Sequence, residues 1–188
     1  MRSNALRSIM VGAILTAMSL IIPLAFGGVL GVFIPPFSAT IASHVPVMVA
    51  MLLGPWVAVV VGLGSALGFL LRLGPVIAAR AAVHAVFGLV GGMLLQKGMS
   101  FAATLAFVAP IHAVLEALVV IPFGFSVYQF LVVVGVGTLL HHCIDAAIAA
   151  GLVAALARSG LGRLLAGGRH ARVSSKHSGG TSGARPTS

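Results

Sequence analysis

The sequence predicts an all-α integral membrane protein, a six-helix transmembrane bundle with both termini cytoplasmic. Three observations predict it. First, 60% of the 188 residues are hydrophobic and 7% are charged, with a mean hydropathy of +1.18, which excludes a water-soluble domain of this size. Second, the apolar residues fall into runs of about 20, the length a helix needs to cross the hydrocarbon core. Third, the basic residues are placed asymmetrically. Arg2 and Arg7 precede the first run, Lys97 lies in a short loop, and Arg158, Arg163, Arg169, Arg172, Lys176 and Arg185 follow the last. An even number of spans puts all of these on one side, as the positive-inside rule expects. The net charge of +9 is therefore a topology signal and not a nucleic-acid footprint.

Each span has its own markers. Span one runs from about Ile9 to Phe26, with Pro23 near its outer end. Arg2, Arg7 and this run imitate a signal peptide, but no small-x-small cleavage site ends the run and further spans follow, so it reads as a retained helix. Gly27-Gly28, Gly31 and Pro35-Pro36 then break the chain, so the next stretch is an ordered loop and not a straight helix. The apolar piece Val45 to Leu53 is too short to span alone. A helix starting near Ala39 would make it a short or tilted second span.

Gly54-Pro55 marks a tight turn into span three, Trp56 to Leu71. Span four is Gly74 to Leu95, with Pro75 at its start. Span five is about Ser100 to Val120, with Pro110 inside and Pro122 beyond, and span six lies within Tyr128 to Leu156. The chain thus divides into a membrane domain, 1–158, and a basic cytoplasmic tail, 159–188. From Gly167 onward the tail is Gly, Ser and basic residues, which reads as disordered and suited to anionic headgroups. The single cysteine, Cys143, excludes an intrachain disulfide and is expected to be a small buried filler.

Polar residues inside the spans carry the functional signal. Arg80 and His84 are four apart on span four and share a helix face. A guanidinium inside a span needs a partner or a ligand. The chain's two carboxylates, Glu116 and Asp145, both fall within spans, and each follows a histidine by four residues, His112 and His141. Arg80 and Glu116 fall at similar depth near the outer side, with His84 and His112 near the middle. Three readings stay open: interhelical hydrogen bonds with an Arg80–Glu116 ion pair, a site for a small polar ligand, or a proton or metal relay. HExxH, GxSxG and Walker A motifs are absent, so no catalytic residue, metal or cofactor is assigned. Ala13 and Ala17 (AxxxA), Gly64 and Gly68, and Gly88 and Gly92 have the spacing that lets helices approach closely.

AxxxA in the first helix, a Pro-containing first loop, a short second span and the segment AMLLGPWVAVVVGLGSALGF together resemble the substrate-binding S component of energy-coupling factor (ECF) vitamin transporters. The resemblance covers roughly Ala13 to Leu156. The stretches FSATIASHVPVMVAMLLGP and GPVIAARAAVHAVFG are most similar to niacin-type members. The resemblance implies a bacterial cell-membrane subunit that captures a small anionic vitamin from outside, niacin first and pantothenate or pyridoxine as alternatives. It also implies a transmembrane coupling subunit and two ATPase subunits as partners, docked through Ala13 and Ala17, and a first loop (about Ile34 to His44) that caps the site. Arg80 would then clamp the vitamin's carboxylate, helped by His84, His44, Glu116 and His112, and Arg80→Ala would abolish capture without unfolding the protein. Arg72, in a loop, is the rival cation. No N-terminal histidine follows Met1, which argues against a divalent-metal S component. The alternative outside the family is a stand-alone channel or proton-coupled carrier built on the His–carboxylate pairs.

Overall fold

In the computed structural model, residues 2–27, 29–34, 37–159 and 161–164 are described. The tail beyond 164 lies outside the described residues, and so does the expectation of its disorder. α1 (Arg2–Ile21) continues into a wider π-helical turn, Ile22–Phe26, at Pro23. Proline lacks the N–H that would continue the α-helical ladder, which accounts for the change of pitch. A two-stranded antiparallel hairpin follows, β1 (Gly31–Ile34) and β2 (Phe37–Thr40), with Gly31 opposite Thr40. It is the one departure from all-α among the described residues.

Next come α2 (Val45–Ala50), α3 (Pro55–Leu73), α4 (Pro75–Gln96) and α5 (Phe101–Val119). Last is α6 (Gly137–Arg158), which extends the π-helical segment Gln129–Val136. Five of these helical stretches are long and apolar enough to cross a membrane, all but α2. The two Gly-Pro pairs act alike. Gly54 (φ 133°) and Gly74 (φ 85°) take backbone conformations closed to most residues, and the proline after each starts the next helix with its φ preset. Gly74 alone therefore joins α3 to α4.

α2 is short because it is not a lipid-facing helix. Every residue from Val45 to Ala50 is buried, as expected for a helix apolar on all sides. It packs against α1, α3, α4 and α6, while α1, α3, α4, α5 and α6 surround it in that order of neighbours. Glycines set the closest approaches. A Cβ on Gly62 would lie 2.5 Å from the backbone nitrogen of Ala85, and one on Gly92 would lie 2.5 Å from Cα of Pro55. Gly64 and Gly68 face Thr16 and Leu20 of α1 in the same way. The small-residue spacings in α3 and α4 thus join α1, α2, α3 and α4 into one block.

The surface is inverted relative to a soluble protein. Ile9, Ile14, Leu63, Leu67, Phe107, Val114, Leu140 and Ile144 are exposed, while Arg80, Glu116, Asp145 and five histidines are buried. Cys143 corrects the sequence expectation, because it is exposed. His141, His142 and Asp145 turn one face of α6 inward, and helical geometry carries position 143 outward.

Candidate functional site

Every titratable side chain buried among the described residues belongs to one cluster. α4 supplies Arg80 and His84, α5 supplies His112 and Glu116, α6 supplies His141, His142 and Asp145, and the residue before α2 is His44. The i, i+4 spacing within α4, α5 and α6 puts each pair on one face, and packing turns those three faces toward a common point. His44 sits at the centre. Its ring centroid is 4.5 Å from that of His84, 4.6 Å from His112 and 4.4 Å from His141.

Arg80 and Glu116 form the ion pair. Nε and Nη2 of Arg80 donate to the same oxygen, Oε2, at 2.9 and 2.7 Å, and Thr138 Oγ1 donates to it at 2.7 Å. Such crowding on one oxygen compensates the burial of the carboxylate. The other oxygen, Oε1, faces His112 Nε2 at 3.2 Å and His84 Nε2 at 3.8 Å. The far side of each ring is also engaged. His84 Nδ1 lies 3.0 Å from Ser65 Oγ, and His112 Nδ1 lies 3.0 Å from His142 Nδ1. His142 Nε2 in turn donates to the Leu105 carbonyl at 3.1 Å.

Asp145 has a different task. Its two oxygens accept the backbone N–H groups of Ala42 at 2.7 Å and His44 at 3.0 Å. Ala42 has φ 69°, the one non-glycine residue with positive φ among those described, and the carboxylate holds it there. His141 Nε2 donates to the Thr40 carbonyl at 3.1 Å and lies 3.3 Å from Asp145. α6 therefore pins both the end of the hairpin and the start of α2.

A small cavity of about 20 Å³ opens onto this cluster, lined by Ala39, Thr40, Ser43, His44, Phe69, Ile77, Arg80, Ala81, His84, Glu116 and His141. That is room for one water or a small ion and not for an aromatic ring. Its walls combine the hairpin end with α3, α4, α5 and α6.

Of the residues singled out from the sequence, Arg80, His84, His44 and Glu116 line the cavity, and His112 backs Glu116 from beneath. Arg72 lies exposed on the last turn of α3 and is not part of the cavity lining. Trp56, 73% exposed at the start of α3, is likewise remote from it. Ala13 and Ala17 are on the exposed face of α1. Sequence reasoning missed Ser65, Thr138 and Thr40 as partners. A lone Ser or Thr in an apolar helix has no pattern that names its partner. The loop-holding role of Asp145 was hidden too, since its donors are backbone N–H groups about a hundred residues away.

Comparison with known proteins finds a clear relative. The chain is 36% identical over 163 residues, 78% of its length and 72% of the relative's, to the niacin transporter NiaX of Lactococcus lactis subsp. cremoris (strain MG1363). No family model matches the sequence, and no solved structure matches it significantly. The identity bears out the niacin-type resemblance and, with the long apolar helices, makes this a multi-pass cell-membrane protein. The chain belongs to the family of the niacin transporter NiaX.

Proposed function

We propose that the protein is the substrate-capturing S component of an ECF-type vitamin importer and that niacin is its substrate. The observation that carries this is the convergence of the buried titratable side chains among the described residues on one cluster, in a chain of that family. Five of them (His44, Arg80, His84, Glu116 and His141) line the cavity at the hairpin end. Niacin joins a pyridine ring to a carboxylate. Arg80, His84 and His44 offer donors to such a ligand, Glu116 and His112 orient them, and Phe69 offers an apolar wall. The cavity must widen to admit the ring, and the hairpin end at Ala39 and Thr40 is the wall built from the thinnest element.

In this reading the chain crosses the membrane six times with both termini cytoplasmic. The hairpin and α2 together form the second crossing. In support, α2 begins just after His44, which lies beside His84, while the turn at Pro55 packs against Gly92, two helical turns further along α4. Ala13 and Ala17 lie among exposed Met10, Ile14, Met18 and Ile21, a small-residue stripe suited to docking on a transmembrane coupling subunit and, through it, two ATPases. The test is calorimetry of nicotinate binding to the detergent-purified protein, with pantothenate and pyridoxine as comparators. Saturable one-to-one binding of nicotinate is expected. A signal from a comparator instead would change the substrate, and silence from all three would overturn the capture role.

A further inference from the structure

We propose that His44, His84, His112 and Glu116 bind one divalent transition-metal ion, and that this ion holds the vitamin's anionic group. The second half rests on the function proposed above; the first does not. One ligand atom from each of the four residues lies within 4.8 Å of all the others. Glu116 Oε1 is 3.2 Å from His112 Nε2 and 3.8 Å from His84 Nε2. Ligand atoms around one such ion at N/O bond lengths lie about 3 Å apart, so modest side-chain adjustment closes the set of four, and the anionic group enters as a fifth ligand. Three imidazoles and one carboxylate suit zinc, nickel, cobalt or iron, not magnesium or calcium.

Hydrogen-bond bookkeeping points the same way. The Leu105 carbonyl can only accept, so His142 must spend a proton on it from Nε2. With neutral rings, the contact between His142 Nδ1 and His112 Nδ1 then takes the one proton of His112. That leaves a lone pair on His112 Nε2 facing the Glu116 carboxylate at 3.2 Å. A cation between them turns a repulsive contact into two coordinate bonds.

The outer shell is already built. His84 is backed by Ser65, and His112 by His142 and Leu105. His44 Nδ1 lies 2.9 Å from Asp145 Oδ2, off the line of a hydrogen bond. Metal-binding histidines characteristically have such partners on the far ring nitrogen. Charge adds a reason. One arginine and two carboxylates leave the cluster at a formal −1 with imidazoles neutral, and Arg80 already spends Nε and Nη2 on Glu116. An anionic ligand is repelled by that cluster and attracted once a divalent ion makes it +1.

The experiment uses the full-length, tag-free protein, stripped with chelator and reloaded with zinc or cobalt alone. About one equivalent is expected by elemental analysis, with cobalt giving the ligand-field absorption of a histidine-rich site. H84Q and H112Q lose the metal. H142Q, which leaves all four ligands in place, retains it with about 10- to 100-fold weaker affinity. A H170A/H177A variant keeps the full equivalent, which excludes the histidines of the tail. A folded, stripped protein that takes up no metal overturns the site, as does uptake indifferent to H84Q and H112Q; a proton on His112 would then fill the contact with Glu116. If metal binds but stripping leaves nicotinate affinity unchanged, the coordination of the vitamin is overturned. If nicotinate binds neither form, the proposed function fails while the metal content still reports on the site.

Discussion

Arg80 gives both Nε and Nη2 to a single oxygen of Glu116, which leaves the second oxygen turned toward His112 and His84. The guanidinium is therefore a structural partner before it is a ligand group, and the carboxylate links α4 to α5 and to the histidine cluster.

This pairing changes what Arg80→Ala does. The substitution strands a buried carboxylate, so it destabilises the protein by about 3–5 kcal/mol as well as weakening capture. The double variant Arg80→Ala/Glu116→Ala removes both charges and is expected to be more stable than either single variant. Thermal unfolding in detergent of the three proteins, arranged as a double-mutant cycle, measures the coupling. Additive effects would mean that the pair does not act as a unit.

Asp145→Ala releases Ala42 and His44. Each backbone N–H to a charged acceptor contributes about 1.5–3 kcal/mol, so the loop between the hairpin and α2 should lose its order. The expected result is faster amide exchange at 42–44, while amides in the middle of α3 keep their protection.

Gly62→Ala should behave unlike Gly151→Ala. A Cβ on Gly62 meets the backbone of α4 at 2.5 Å, which cannot yield without moving the helix that carries His84. A loss of about 1–3 kcal/mol is expected, with weakened nicotinate binding. Gly151 has nothing within 4 Å of its added carbon, and there alanine should stabilise α6 by up to about 1 kcal/mol. Equal melting temperatures for the two variants would contradict the close packing of α3 on α4.

On the proposed docking face, Ala13→Trp with Ala17→Trp should leave nicotinate binding to the isolated protein unchanged. The same change should abolish uptake in vesicles that also contain a coupling subunit and its ATPases. Full uptake by the doubly substituted protein would remove α1 as the docking helix.

Much of this was legible beforehand for a local reason. The i, i+4 spacing of Arg80 with His84 and of His112 with Glu116 puts each pair on one face, and depth counted along spans four and five brings Arg80 level with Glu116. The Gly-Pro pairs mark the starts of α3 and α4 because glycine's positive φ and proline's fixed φ are intrinsic to those residues. Cys143 was misread for the complementary reason: an apolar run does not say which of its faces meets lipid.

By itself, the sequence determined that the chain lies in a membrane, where α3, α4 and α5 begin and end to within two residues, which polar residues share a helix face, and which family it resembles. These follow from composition, hydrocarbon thickness and the 3.6-residue period, all of which act within a segment. Only the tertiary structure decided that α2 is a short buried helix, that Asp145 holds the loop before it, and that five histidines from four parts of the chain gather with both buried carboxylates in one cluster. Which faces meet depends on how closely helices can approach, and that is set jointly by glycines such as Gly62 and Gly92 and the backbones packed against them.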